Sequence, residues 1–261
     1  MSMVTRSRLA EIVRSGDPDL AEANLLISAE GRADVDPDAW LAEIDALADR
    51  AGDGDADTVF ALLRDEGFTG DTESYDDPRN SFVDQMLRRR MGLPITLSAL
   101  AVSIGTRTGA SIAPIGMPGH FLVADISSGQ VRYVDPFHGW VHRSVDELAA
   151  LARETAGVDL EPGHLIPVAP DITISRMLLN LEGAYRRRQR TDDVLWCCEL
   201  LSLVNAEDPA PRVRTAEVLV ELGRPDEAEA LLGSLITATP PNLATRWAEA
   251  VLADIRGARL N

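Results

Sequence analysis

A histidine and an aspartate near the middle of the chain are the residues best suited to carry chemistry. His120 begins the strand-like run 120–126, and Asp135 ends a second such run, 131–135. The loop between the runs, 127–130, is short and contains a glycine, a pattern that predicts a β-hairpin. We therefore expect the hairpin to bring the two side chains together.

The register of this hairpin places both residues on one face of the sheet. It puts Ala124 opposite Tyr133 and Leu122 opposite Asp135. Because side chains alternate between faces, His120 shares the face of Leu122 and therefore of Asp135. Diagonal cross-strand neighbours are about 7–8 Å apart at the backbone. That separation is short enough for an imidazole and a carboxylate to meet.

Such a pair supports two interpretations. An aspartate bonded to one imidazole nitrogen fixes the tautomer, which leaves the other nitrogen free to exchange a proton with a substrate or nucleophile. The same bond can instead be structural and hold the end of the hairpin in place. Spacing alone does not separate a catalytic His120–Asp135 pair from a structural one.

Four segments carry a resemblance to a known family. They are residues 80–81, 92–98, 116–123 and 134–139. Together with the tail segment 176–181, they resemble the bacterial SirB-type branch of the transglutaminase-like superfamily. The resemblance implies a small antiparallel sheet packed on a central helix, as in papain-like folds. It also implies that His120 and Asp135 are the family's conserved pair.

The nucleophile of that family has no counterpart at the expected place. Transglutaminase-like enzymes place a cysteine at the start of the central helix, where the helix dipole and the nearby histidine lower the thiol pKa. In this chain the matching position holds Pro94. The two cysteines, Cys197 and Cys198, follow about a hundred residues later in a predicted helix, where we expect them to be reduced core thiols.

Two hydroxyls are the alternatives to the missing thiol. Thr96 and Ser98 fall in the first two turns of the predicted central helix, and either could approach His120 if that helix abuts the sheet. A hydroxyl needs stronger activation than a thiol because it is far less acidic. The competing interpretation makes Ser98 a small packing residue and Thr96 a hydrogen-bonding residue at the helix start.

A third histidine raises the question of a metal. His120, Asp135 and His138 have the composition of a two-histidine, one-carboxylate site. Strand alternation directs His138 away from Asp135 unless Pro136 bends the chain, and we expect it to fix the loop around residues 139–140 instead. No metal and no cofactor are predicted, although a metal-dependent activity is the third hypothesis.

Composition and charge bear on the partners. The formal net charge is -17, which repels nucleic acid and anionic membrane surfaces, so neither is an expected partner. No window approaches the roughly 20 apolar residues of a membrane span. The first residues lead into an amphipathic segment without the apolar core of a secretory signal. These features predict a cytoplasmic protein, and the family resemblance implies a bacterial one.

The remaining patterns predict an α+β class that is mainly helical. Residues 1–74 read as helices packed on the core, 75–170 as the transglutaminase-like core, and 171–261 as a tail of helical hairpins. Within the tail, residues 222–228 resemble a tetratricopeptide unit, and at most two degenerate units fit. About three such units are needed for a shared core, so the tail is expected to pack on the central domain.

Two main hypotheses follow. The first is a non-catalytic binding or regulatory module for a protein or peptide, which the missing cysteine and the repeat-like tail favour. The second is a hydrolase or acyl-transferring enzyme acting on amide or ester bonds. In that case His120 is the base, Asp135 orients it, and Thr96 or Ser98 attacks.

Overall fold

The computed structural model describes residues 3–258 and begins with four helices. They are α1 (Met3–Arg14), α2 (Leu20–Gly31), α3 (Pro37–Ala51) and α4 (Ala56–Asp65). Aspartates cap the last three, because Asp19, Asp36 and Asp55 each accept hydrogen bonds from backbone amides of the first turn. Pro37 directly follows the capping Asp36, and Gly52 ends α3 before the cap of α4 at Asp55.

A buried helix forms the centre of the fold. After the 3₁₀ turn Pro78–Ser81 and helix α5 (Val83–Arg89), helix α6 runs from Pro94 to Thr108. Almost every side chain of α6 is buried, and its small residues allow close packing against α2, α3 and α4. Strand β2 (Met91–Gly92) lies just before α6 in the chain and pairs in parallel with β1 (Thr69–Gly70), which precedes the 3₁₀ turn.

The sheet is small and antiparallel, as predicted. Its four strands pair in sequence order and are β3 (Ile112–Ile115), β4 (Leu122–Asp125), β5 (Arg132–Asp135) and β6 (Val141–Arg143). Ala124 pairs with Tyr133 and Val123 with Val134, which confirms the predicted register of the hairpin. The mainly helical α+β class is confirmed as well.

Alternating side chains bury both faces of this sheet. Val123 and Val134 belong to the apolar core that includes Leu97 and Leu100 of α6. Leu122 and Ala124 pack in a second cluster with Leu148 and Ala152, which lie on helix α7 (Val145–Ala156). The hairpin that carries His120 and Asp135 is therefore held between two apolar layers.

The rest of the chain is helical. It contains the 3₁₀ turn Pro162–Leu165 and helices α8 (Pro170–Arg187), α9 (Thr191–Val204), α10 (Ala210–Glu221), α11 (Pro225–Ala238) and α12 (Leu243–Ala258). The chain divides into two compact units, Met1–Met177 and Leu178–Asn261. In the second unit, α10 packs against α9, α11 and α12. None of the helices within residues 3–258 has both the length and the apolar character that crossing a bilayer requires.

Asn80 anchors the start of the central helix. Its side-chain amide donates to the Ser74 carbonyl at 2.7 Å, and its side-chain oxygen accepts from Arg89 Nη1 at 2.7 Å. Its backbone carbonyl accepts from the Leu93 amide at 3.1 Å and from Thr96 Oγ1 at 2.9 Å. Asn80, Leu93 and Thr96 are buried, Arg89 is half-buried and Ser74 is exposed, so one buried residue fixes the loop, α5 and α6 relative to each other.

Replacing Asn80 by alanine should destabilise the first unit. The Asn80→Ala variant leaves the Ser74 carbonyl and one Arg89 donor without their partner, a loss of about 2–4 kcal/mol in the free energy of unfolding. Urea denaturation followed by circular dichroism measures it. Gln130→Ala, which removes an exposed amide from the β4–β5 loop, is the matched control. Equal stability of the two variants would contradict the anchoring role.

Candidate functional site

His120 lies in a tight turn directly before β4. Its side chain is only 5% exposed, and its Nε2 lies 3.0 Å from Asp135 Oδ1, so the predicted pairing is observed. The preceding Gly119 has a φ of +70°, and a Cβ at that position would lie 2.4 Å from Thr155 Oγ1. The turn therefore requires glycine for both backbone conformation and space.

Arg176 holds the same turn from the other side. Its guanidinium lies over the Phe121 ring at 5.0 Å and donates weakly to the carbonyls of Met117 and His120, at 3.4 and 3.5 Å. A Cβ at Gly116 would meet Arg176 Nη1 at 2.4 Å. This close packing limits the positions that the His120 backbone can adopt.

Asp135 receives hydrogen bonds from five donors. Oδ1 accepts from His120 Nε2 at 3.0 Å and from the backbone amides of Phe137 and His138 at 3.1 and 3.3 Å. Oδ2 accepts from His138 Nδ1 at 2.7 Å and from Arg143 Nη2 at 3.4 Å. The carboxylate thus closes the turn after β5 while it orients His120.

The contact from His138 depends on a bend in the chain. Strand alternation points this side chain away from Asp135 unless Pro136 bends the chain, and the structure has a turn there, so the expected orientation away from Asp135 does not hold. The chain leaves the strand after Asp135 and enters a four-residue turn, so the residue three positions later returns to the carboxylate. The alternation rule applies only while the backbone remains extended.

These donors also set the ionisation of Asp135. Burial by itself raises the pKa of this carboxyl group. The hydrogen bonds and charges of His120, and then those of His138, more than offset burial and lower the pKa to about 2. Asp135 is therefore ionised across the whole neutral range.

Aromatic residues enclose the pair. The Phe137 ring meets His120 edge-on at 6.1 Å and His138 at 5.2 Å, and it contacts the Tyr75 ring at 5.7 Å. A Cβ at Gly70 would lie 2.3 Å from the Phe137 ring, so this ring needs glycine beneath it. The sequence offered no direct signal for the roles of Phe137 and Arg143, although Phe137 falls within a segment that carries the family resemblance.

The two hydroxyls on α6 do not bond to His120. Thr96 Oγ1 bonds instead to the carbonyl oxygens of Asn80 and Leu93, at 2.9 and 3.0 Å. Ser98 Oγ is fully buried and has no hydrogen-bond partner among the described residues. Pro94 occupies the first turn of α6, where it is buried. Within the described residues, the structure therefore shows a bonded His120–Asp135 pair that neither hydroxyl joins.

The cysteines belong to the second unit and are unreactive. Burial raises the pKa of Cys198 to about 12 and raises that of Cys197 well above its usual value. Both are free and buried on α9. A thiol in such surroundings is not deprotonated at neutral pH.

The family is shown by comparison with known proteins. The profile of the transglutaminase-like superfamily matches residues 38–179, which is more than half of the chain. The chain belongs to that superfamily. The match includes α6, the four-stranded sheet, and both His120 and Asp135.

Bacterial proteins are among its relatives. A UPF0162 protein of Xylella fastidiosa (strain Temecula1) is 33% identical over 159 residues, covering 59% of this chain and 57% of the relative. A UPF0162 protein of Vibrio cholerae is 34% identical over 145 residues, covering 55% and 54%. The matched segment thus spans little more than half of these relatives.

Two similarities reach beyond bacterial proteins. F-box only protein 21 of Mus musculus is 32% identical over 82 residues, which cover 31% of this chain and 13% of that protein. A crystal structure of menin that reveals its binding site for the Mixed Lineage Leukemia (MLL) protein superposes with a TM-score of 0.50 and 12% identity. That superposition covers 89% of this chain and 60% of menin, and it is a likeness of fold alone.

The lowered pKa of Asp135 predicts an acid-dependent loss of stability. A carboxyl group whose pKa is lower in the folded state stabilises the fold above its unfolded pKa, near 3.8, and loses that effect as the pH falls toward 2. The free energy of unfolding should fall by about 2 kcal/mol across this window because of this group.

The measurement is urea denaturation at a series of pH values between 5 and 2. Asp135→Asn is expected to be less stable at pH 5 and to have a shallower acid slope than the wild-type chain. Asp53→Asn, which changes an exposed aspartate of the α3–α4 turn, should keep the wild-type slope. Parallel slopes for all three chains would rule out the assigned ionisation.

Proposed function

We propose that this chain is a non-catalytic binding protein built on a transglutaminase-like core, and that its partner is a protein or peptide. One observation carries the proposal: in the described part of the chain neither Thr96 nor Ser98 bonds to His120, and Thr96 bonds to backbone carbonyls instead. The family resemblance also assigns the position of the cysteine to Pro94, the first residue of α6. The five donors around Asp135 give the histidine–aspartate pair a structural use that needs no substrate.

An apolar groove in the first unit supports a peptide partner. We define the apolar groove as a cavity of about 460 Å³ lined chiefly by Val131, Tyr133, Val145, Leu160, Leu165 and Ile166. Ile166 is 61% exposed and Val145 is 54% exposed, which is unusual for neighbouring large apolar side chains. Grooves of this kind bind apolar side chains of peptides.

The charged residues at the edge of the groove indicate which kind of peptide would bind. An adjoining cavity of about 490 Å³ shares Val131, Tyr133 and Val145 with the groove. It is also lined by Arg132, Arg143 and His142. A peptide segment that places an acidic residue beside its apolar side chain matches both parts.

The family branch and the tail belong to the same proposal. We assign the chain to the SirB-type branch, with tetratricopeptide-like helices after the core and a cytoplasmic location. Menin, which superposes on most of this chain, has a binding site for the MLL protein. In the tail, the strong exposure of Leu243, at 84%, offers a second apolar contact for a partner.

The alternative function is hydrolysis or acyl transfer at amide or ester bonds. It relies on the intact His120–Asp135 pair and on Ser98, whose buried hydroxyl has no hydrogen-bond partner in the described chain. For catalysis, the Ser98 hydroxyl would need to reach a His120 nitrogen, and a substrate would need to reach both.

An activity panel separates the two functions. We expect the wild-type chain and His120→Ala to give equal background rates on a broad set of esters and amides, since neither supplies an activated nucleophile. The same panel is run with Ser98→Ala. A wild-type rate above background that both substitutions abolish would establish the enzyme and reject the non-catalytic assignment.

A capture experiment tests the apolar groove. Ile166→Asp should lose the partners that the wild-type chain recovers from bacterial extract, because a charge would enter the apolar surface. Val158→Asp changes a residue with 42% exposure that does not line the groove, and it should recover the wild-type set. Leu243→Asp tests the contribution of the tail.

A protein recovered with wild type and Val158→Asp but not with Ile166→Asp is then purified, and its affinity for the wild-type chain is measured by calorimetry. If only Leu243→Asp loses the partners, the binding surface lies on the tail. Identical recovery with all four chains would contradict both surfaces.

A further inference from the structure

Three ligand atoms converge at the end of the hairpin. One ring nitrogen of His120, one carboxylate oxygen of Asp135 and one ring nitrogen of His138 all lie within 4.8 Å of one another. We propose that these three residues bind one divalent transition-metal ion of the zinc class. This inference is independent of partner binding in the apolar groove.

The donor set matches such an ion. Two imidazoles and one carboxylate suit zinc, cobalt, nickel and iron better than magnesium or calcium, which prefer all-oxygen sites. The site already holds an ionised carboxylate, and the net charge of -17 favours cations near the molecule. Three protein ligands leave a further coordination position for water or for a group supplied by a partner.

The ligand atoms are close together but not yet at metal-binding distances. Ligand atoms at about 2.0–2.1 Å from a tetrahedral zinc lie roughly 3.3 Å from each other. The present N–O separations are hydrogen-bond lengths, 3.0 Å from His120 Nε2 to Asp135 Oδ1 and 2.7 Å from His138 Nδ1 to Asp135 Oδ2. The His138 side chain is 41% exposed and therefore has room to move, whereas His120 and Asp135 are buried.

Binding also exchanges protons within each ring. The nitrogens that now donate to Asp135 must present a lone pair to the ion, so a neutral ring moves its proton to its other nitrogen. No bond other than these N–H bonds and the metal–ligand bonds changes. The exposure of His138 provides the path by which an ion reaches the buried ligands.

The positive charge of Arg143 should weaken metal binding, and this expectation provides a further test of the site. Its Nη2 lies 3.4 Å from Asp135 Oδ2, and its Nε is buried without a hydrogen-bond partner in the described part of the chain. A cation at this distance competes with a metal ion for the same carboxylate. Removal of the Arg143 charge should therefore tighten metal binding, while removal of His138 should weaken it.

The experiment titrates zinc chloride into the full chain, stripped with chelator, by calorimetry. We expect one ion per wild-type chain. His138→Ala should lower the affinity about tenfold or more. Arg143→Met should raise it, and His142→Ala should leave it unchanged, since His142 is an exposed histidine outside the cluster. Circular dichroism checks that each variant is folded.

Cobalt absorption gives a second measurement that does not depend on Arg143. Cobalt bound to the wild-type chain and to His142→Ala should show the visible bands of an ion with imidazole ligands, and His138→Ala should lose them. The absence of saturable binding to the wild-type chain would overturn the proposal. So would equal affinity in wild type and His138→Ala, loss of binding in His142→Ala, or unchanged affinity in a folded Arg143→Met.

Discussion

The carboxylate of Asp135 is buried in the first unit and accepts hydrogen bonds from His120, His138, Arg143 and two backbone amides. A buried carboxylate is costly unless donors satisfy it, and here the donors more than offset that cost, because the pKa is lowered to about 2. The same set of hydrogen bonds orients the His120 imidazole, closes the turn after β5 and holds the His138 imidazole against the carboxylate. Both the local fold and the candidate chemistry therefore depend on a single ionised group.

The start of the central helix is held by hydrogen bonds to the backbone. Helix α6 begins with Pro94, and the nearby hydroxyl of Thr96 bonds to the carbonyl oxygens of Asn80 and Leu93. Asn80 ties this helix start to Arg89 and the preceding loop. These hydrogen bonds hold the start of α6 in a fixed position. A rigid helix start is consistent with the binding function that we propose. Ser98 is the exception, as a buried hydroxyl with no partner among the described residues.

The proposed activities use separate parts of the first unit. The apolar groove lies where Val131, Tyr133 and Val145 meet Leu160, Leu165 and Ile166. The proposed metal ligands lie at the opposite end of β5, at Asp135 and its histidines. Arg143 is common to both regions, because it contacts Asp135 and lines the cavity beside the groove. A substitution at Arg143 is therefore expected to affect both activities, whereas substitutions at Ile166 and His138 separate them.

Local patterns in the sequence determined the hairpin register, the shared face of His120 and Asp135, and the absence of a cysteine at the helix start. These features depend on alternation and on spacing over a few residues, which a sequence displays directly. Only the tertiary structure decided that His138 joins the carboxylate, that Arg143 reaches it from β6, and that Thr96 is already bonded. Each of these depends on a turn conformation or on contacts between distant segments, and no local periodicity encodes either.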